Sequence, residues 1–223
     1  MSAYYPIYLQ LESQPCIVIG GGKIAEDKVE GLLNAGARVT VISPDLTPRL
    51  RQLGRGREVM HIARGYQRGD LIGAFLVICA TDRREVNRAV WEEASANGQL
   101  VNVVDDTPHC NFIAPAVLRN GDLTIAISTG GKAPALAVRL KERLQRELGP
   151  EYGRFLELAG GLRERLAREV PDFEQRKALW YELVDSDVLD LLASGDEAAA
   201  ERTIAELIER FTTKSPRHEV TKL

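Results

Sequence analysis

Pro15-Cys16-Ile17-Val18-Ile19-Gly20-Gly21-Gly22-Lys23-Ile24-Ala25 is the stretch on which the fold of this chain turns. Its first five residues are mostly apolar and partly β-branched, the composition of a buried strand. The next six have the form Gly-x-Gly-x-x-Ala, a variant of the dinucleotide fingerprint that joins a strand to a helix. Gly20 permits the tight turn, Gly22 lets a pyrophosphate approach the backbone, and Ala25 is small enough for the helix to pack on the strand. The helix N-terminus then offers unpaired N–H groups and a partial positive charge to that phosphate. Triple glycines also make ordinary turns, so the motif takes its meaning from what surrounds it. Residues 24–34 predict a helix with Val29, Leu32 and Leu33 on one face and Gly36 placed to stop it. Arg38–Ile42 then reads as a second strand, ended by Ser43-Pro44-Asp45.

The alternation continues outward. Residues 75–80 form a continuous apolar run, as expected of a strand covered on both faces. Residues 85–97 read as a helix and residues 100–104 as another strand, while Val59–Ile62 is a weaker strand candidate in a mixed region. Strands separated by helices of this length imply a parallel, doubly wound α/β sheet of the Rossmann type. Leu123–Ile127 reads as a later strand, approached through a hairpin turn at Asn120-Gly121. After residue 133 the texture becomes helical. Leu136, Leu140 and Leu144 recur every four residues, Phe155, Leu158, Leu162 and Leu166 form a second stripe, and Leu179, Trp180, Leu183 and Val184 a third. Ser194 with Glu197 reads as a capping box before Ile204, Leu207, Ile208 and Phe211. The expected division is a Rossmann domain over 1–114, a small segment over 115–150 and a helical C-terminal domain over 151–223.

The strands' carboxyl ends are where ligands bind in open α/β sheets. The cofactor residues expected there are Gly20, Gly22, Lys23 and Ile24 on the glycine turn, Ser43, Pro44 and Asp45 after the second strand, and Ala80 and Thr81 after the run over 75–80. Thr81 or Asp82 also suits the cap of the following helix. The residues leave NAD and NADP both open. Asp45 is the first acid after the second strand and suits ribose hydroxyls, whereas Arg49 and Arg51 stand near enough in sequence to meet a 2′-phosphate, unless they are a solvated loop. Val104-Asp105-Asp106 places two acids at a strand's carboxyl end, where a carboxylate can take a proton while a hydride leaves to a nicotinamide. Asp105 is the expected catalytic acid; Asp106 suits the start of the turn before Pro108, and His109 and Asn111 are nearby polar candidates. Ser128, Thr129, Gly130, Gly131 and Lys132 precede Pro134 and its helix, as in an anion cradle, though without the spacing of a Walker loop. Ser128, Thr129, Gly130 and Lys132, with Arg119, are the residues expected to meet an acidic substrate.

Composition narrows the classes. Of 223 residues, 44% are hydrophobic and 27% charged, and no apolar run approaches a bilayer span, so no membrane partner is expected. A net charge of −3 argues against nucleic acid. The start of the chain lacks the pattern of a secretory signal, and a cytoplasmic protein is expected. Cys16 and Cys79 sit in strand-like runs and read as small buried hydrophobes. Cys110 beside His109 has no second Cys or His at zinc spacing, and no residue is assigned to a metal.

Together these segments resemble the precorrin-2 dehydrogenases, a family that includes the N-terminal half of siroheme synthases. The resemblance rests on Pro6-Ile7, Gly20-Gly21-Gly22-x-Ile24-Ala25 with Lys28, Ala80-Thr81-Asp82 with Asn87, Asn102-Val103-Val104-Asp105, Asn111-Phe112-x-x-Pro115-Ala116 and Ile127-Ser128-Thr129-Gly130-Gly131-Lys132-x-Pro134. It implies NAD as cofactor, oxidation of precorrin-2 to sirohydrochlorin, and Asp105 as the key acid. It also implies a homodimer that exchanges segments after the Rossmann domain, which makes residues 115–150 a dimerisation and substrate-contact segment. Some relatives insert Fe²⁺ as well, so ferrochelatase activity is a second expectation. Asp27 stands where relatives often have Arg, which removes one conventional basic contact from the first helix. A non-enzymatic alternative, an NAD-sensing regulatory module, explains the glycine turn but neither Asp105 nor the segment over 128–132.

Overall fold

A computed structural model describes residues 4–213. The chain divides into two compact units, the first reaching Ala114 and including Gly130–Lys132, the second comprising Pro115–Thr129 and the chain from Ala133 onward.

The first unit is a five-stranded parallel sheet. Its strands are β1 (Pro15–Ile19), β2 (Arg38–Ile42), β3 (Val59–Ile62), β4 (Leu76–Cys79) and β5 (Leu100–Val103). They lie in the order β3-β2-β1-β4-β5, so the chain reverses direction across the sheet at β1 and β4. Cys16 pairs in register with Val39 on one side and Leu76 on the other. Alternation sends Cys16 and Val18 to one face and Ile17 and Ile19 to the other, and both faces are covered. Helix α1 (Lys23–Leu33) buries Ala25, Val29 and Leu32 on the first face. Helix α3 (Arg84–Ala96) buries Val90 and Ala94 on the second. Full burial of each aliphatic side chain of this kind contributes about 1.5–3 kcal/mol, which explains why the strands are near-continuous apolar runs.

A helix that the periodicity does not announce, α2 (Pro48–Arg55), follows β2. Thr47 caps it by accepting from the Leu50 N–H at 3.2 Å, Pro48 occupies its first turn, and Leu50 and Leu53 are its buried residues. Eight residues with two apolar positions are too short to show a period, so the segment looks like loop in sequence.

The connection from β3 to β4 is ordered by buried polar groups. Glu93 of α3 accepts from the Tyr66 hydroxyl at 2.6 Å, the Gly69 N–H at 2.9 Å and the Leu71 N–H at 3.1 Å. Gln99 donates to the carbonyls of Leu71 and Ala74. Arg64 and Asp70 form a bidentate pair at 2.7 Å. Burial alone would raise the Glu93 carboxyl, but the three donors outweigh it and hold it below its ordinary value of 4.5. Its stabilising effect is therefore complete above that value and is lost as pH falls through the lowered native one. Glu93→Ala should cost about 3 kcal/mol, because it strands three donors in the interior. Urea denaturation near pH 7 and near pH 3.5 checks this: Glu93→Gln should show a flatter pH dependence than the parent chain.

The second unit begins with an antiparallel hairpin, β6 (Ala116–Asn120) and β7 (Leu123–Ile127), in which Asn120 pairs with Leu123. The turn residues are thus Gly121 and Asp122, one place later than the expected Asn120-Gly121. Gly121 has φ +56° and a Cβ there would lie 3.1 Å from Gly153 Cα, so the turn and a helix meet backbone to backbone. Five helices follow: α4 (Pro134–Glu147), α5 (Pro150–Glu169), α6 (Phe173–Asp185), α7 (Val188–Ser194) and α8 (Glu197–Thr213). Leu166, Leu179, Leu183, Val188, Ile204 and Ile208 form their shared core. The expected capping box is corrected here. Ser194 ends α7, ahead of Gly195 in the left-handed conformation, and Asp196 accepts from the Ala199 N–H at 3.0 Å at the start of α8. Among the described residues no helix is long and apolar enough to cross a membrane.

Candidate functional site

The carboxyl ends of β1, β2, β4 and β5 open into a cleft of about 1520 Å³. This exceeds the roughly 300–1,000 Å³ of an ordinary small-molecule pocket. All nine residues expected to bind cofactor border it: Gly20, Gly22, Lys23, Ile24, Ser43, Pro44, Asp45, Ala80 and Thr81. Asp105 borders it too.

The glycine turn is built by close approach. Gly20 has φ +117°, and a Cβ there would lie 2.3 Å from the Ala80 carbonyl oxygen. A Cβ on Gly21 would lie 1.9 Å from the Asp45 carbonyl oxygen, and the Gly21 carbonyl accepts from the Thr47 N–H at 3.0 Å. Gly22 differs: it is the N-cap of α1, and nothing lies within 4 Å of where its Cβ would stand. Two glycines therefore close the loops on each other, and the third leaves a backbone surface open beside the first-turn N–H groups of α1. A pyrophosphate fits such a cradle.

Lys23 does not point its charge outward unopposed. Its ammonium lies 2.6 Å from a Glu26 carboxylate oxygen and 3.1 Å from one of Asp27. The Thr47 hydroxyl donates to the other Glu26 oxygen at 2.5 Å. The Lys23 and Thr47 hydrogen bonds hold the Glu26 carboxyl below its ordinary range. Phosphate contact at this turn is left to backbone amides.

Arg49 and Arg51, which suit a 2′-phosphate in sequence, are committed elsewhere. Arg49 Nε lies 3.0 Å from Glu30, and Arg51 gives two hydrogen bonds to the Leu46 carbonyl. Neither borders the cleft, whereas the exposed Asp45 does. Ser43 is buried, with its carbonyl 2.9 Å from His61 Nε2.

After β4, the Thr81 hydroxyl donates to Asn87 Oδ1 at 2.6 Å and accepts from the Arg83 N–H at 3.2 Å. Asn87 returns a bond to the Thr81 carbonyl. Thr81 therefore forms a turn bonded to α3, whose N-cap is Arg83 without a side-chain cap. Arg83, Arg84, Asn87 and Arg88 all border the cleft, as does Tyr66. Of these only Asn87 has a signal in the sequence, through its spacing from Ala80-Thr81-Asp82.

Strand β5 ends at Val103, and Asp105 stands just beyond it, exposed, with φ +60°. A non-glycine residue in this conformation is uncommon, and such strain concentrates at functional sites. Asp106 turns away to receive His109 Nδ1 at 2.8 Å. Cys110 sits behind this turn, its sulfur bonded to the carbonyls of Val103 and Asp106, and burial raises its thiol. Asn111 accepts from the Val101 N–H and donates to the Gln99 carbonyl, seaming the returning chain to β5.

The residues expected to meet substrate are divided. Arg119 is exposed on β6, and Ser128 and Thr129 follow β7 in the second unit; Thr129 accepts from the Ala133 N–H at 3.2 Å. Gly130 and Lys132 are grouped with the first unit, Gly130 with φ +62° and Lys132 exposed.

Three family models match in succession. Residues 7–116 match one described as putative NAD(P)-binding, residues 120–147 one described as sirohaem biosynthesis protein central, and residues 151–208 one described as the sirohaem synthase dimerisation region. The dimerisation description thus falls on α5 to α8 and the central one on the hairpin and α4. The chain is 40% identical over 217 residues to a siroheme synthase of Photobacterium profundum, covering 97% of this chain and 46% of that protein. It is 41% identical over 198 residues to siroheme synthase 1 of Aeromonas salmonicida, covering 88% and 42%. It therefore spans less than half the length of these relatives. A solved structure described as SirC, precorrin-2 dehydrogenase, superposes with a TM-score of 0.76 at 26% identity, over 91% of this chain and 100% of the other.

Proposed function

This chain belongs to the family of precorrin-2 dehydrogenases and siroheme synthases, and from that premise we propose that it oxidises precorrin-2 to sirohydrochlorin with NAD. The observation that carries the reading is one cleft with two ends: a glycine turn open at Gly22, and an exposed carboxylate, Asp105, held in a left-handed conformation beyond β5.

NAD, when bound, supplies the two-electron acceptor. The chain's own part is to hold and orient. The N–H groups of the first turn of α1 receive the pyrophosphate, with Gly20, Gly22, Lys23 and Ile24 shaping its seat. Asp45, with Ser43 and Pro44, borders the ribose hydroxyls. Ala80 and Thr81, braced by Asn87, form the wall between them and Asp105. Asp105 accepts the proton that the macrocycle gives up. Arg119, Ser128, Thr129, Gly130 and Lys132 receive the carboxylates of this polycarboxylate substrate.

The active form is a homodimer, a reading supported by the match to a dimerisation region. The working division is a cofactor domain over 1–114, a substrate-contact and dimerisation segment over 115–150 and a helical domain over 151–223. Fe²⁺ is a further substrate: its insertion into sirohydrochlorin releases two pyrrole protons, for which Asp105 serves again.

The test is an anaerobic assay with precorrin-2 and either NAD or NADP, followed by addition of Fe²⁺. NADH and sirohydrochlorin should form, with NAD preferred over NADP by about tenfold or more in kcat/KM, since Arg49 and Arg51 are already committed. Failure to form NADH removes the dehydrogenase reading. Release of metal-free product with no siroheme removes chelation only.

A further inference from the structure

Beside Asp105 the cleft holds a second pair of titratable groups that the reading above leaves idle. Asp106 and His109 bracket the single helical turn Thr107–His109, and their side chains meet at 2.8 Å through Nδ1 and Oδ2. Trp91 of α3 packs its ring edge-to-face on the imidazole, with centroids 4.6 Å apart and planes at 67°. Both members of the pair border the cleft, along with Asp105. The other charged groups on this side are Asp82, Arg83, Arg84 and Arg88, of which Arg83 is paired with Glu85 and Arg88 with Glu92.

An ionised carboxylate only accepts hydrogen bonds, so the contact with Asp106 places the neutral imidazole's proton on Nδ1. That leaves Nε2 with its lone pair. An imidazole fixed by a carboxylate at one nitrogen and open at the other is the arrangement by which proteins move protons near neutral pH. Oxidation of precorrin-2 creates a need for one: every turnover leaves a proton on Asp105, and the carboxylate must be restored before the next.

We propose that His109, positioned by Asp106, is the proton outlet of this cleft. The step rests on the dehydrogenase reading. The protonated Asp105 carboxyl gives its proton to Nε2 and returns to carboxylate. The resulting imidazolium keeps its Nδ1–H on Asp106, and Nε2–H passes the proton to bulk water, restoring the neutral ring. One proton enters the pair and one leaves, with no change in oxidation state.

Two measurements test it. In ¹⁵N spectra of the imidazoles near pH 8, His109 of the intact chain should carry its proton on Nδ1, and Asp106→Ala should shift it toward Nε2. An Nε2–H form in the intact chain overturns the proposal without reference to activity. In the anaerobic assay, His109→Ala should lower kcat about tenfold with KM for NAD and for precorrin-2 little changed. Added imidazole should restore a large part of the loss, which it would not do for a merely structural defect. An unchanged kcat, or a loss that imidazole does not relieve, removes the outlet while NADH formation by the intact chain keeps the dehydrogenase reading. An intact chain that forms no NADH removes both, whatever the tautomer.

Discussion

Asp105→Asn is expected to lower kcat for precorrin-2 oxidation by about 10²–10⁴-fold, the usual contribution of a positioned proton acceptor, while leaving NAD affinity close to that of the parent chain. Asparagine is the informative replacement because of the backbone. Asp105 has φ +60°, and asparagine is among the few side chains that tolerate that region. The variant therefore removes the charge and keeps the turn. Asp105→Ala adds about 1 kcal/mol of backbone cost and should show a lower melting temperature on top of the same loss in rate. Stopped-flow NADH formation with calorimetric NAD titration separates the two effects. A variant that turns over like the parent chain would take Asp105 out of the mechanism.

Gly20→Ala and Gly22→Ala, only two residues apart, are expected to fail in opposite ways. At Gly20 the new Cβ would lie 2.3 Å from the Ala80 carbonyl oxygen on a backbone with φ +117°. Strain and overpacking each cost about 1–3 kcal/mol, so the first unit should lose several kcal/mol and melt about 10 °C earlier. At Gly22 no atom lies within 4 Å of the new Cβ. The fold should survive, with a melting temperature near that of the parent chain. The methyl group then occupies the open side of the turn, and NAD affinity should fall about 10- to 100-fold, equivalent to about 1.4–2.8 kcal/mol. Thermal denaturation and NAD titration of both variants decide the matter. If Gly22→Ala binds NAD normally, the pyrophosphate is not at this turn.

The contrast between these glycines marks where sequence reading stops. Gly-x-Gly-x-x-Ala after a strand is a local signal, and local signals carry the strand-turn-helix unit: β1, α1 and β2 lie within a residue of where their apolar pattern places them. The pattern cannot say that Gly20 and Gly21 are pressed against Ala80 and Asp45, because those contacts join segments far apart in the chain. Nor can it say that Lys23 is tied to Glu26 and Asp27, or that Arg49 and Arg51 face Glu30 and the Leu46 carbonyl. A charge near a motif in sequence has many partners to choose from, and only packing selects among them.

The same division holds for the remaining elements. Apolar period, turn chemistry and the glycine motif together determined, from the residues alone, a parallel α/β sheet followed by helices, with candidate ligand residues at strand ends. These are properties of short windows, set by backbone sterics and burial of one face. Tertiary structure alone decided the rest. Val59–Ile62 is a strand because β2 offers it an edge, α2 is a helix because Thr47 caps it over Leu50 and Leu53, and Ser194 lies inside α7 because Gly195 ends that helix and Asp196 starts the next. Asp105 and Asp106 are neighbours in sequence with different surroundings, one turned into a cleft by a positive φ and the other bonded to an imidazole. That difference comes from the path the chain takes after β5, which no window of residues contains.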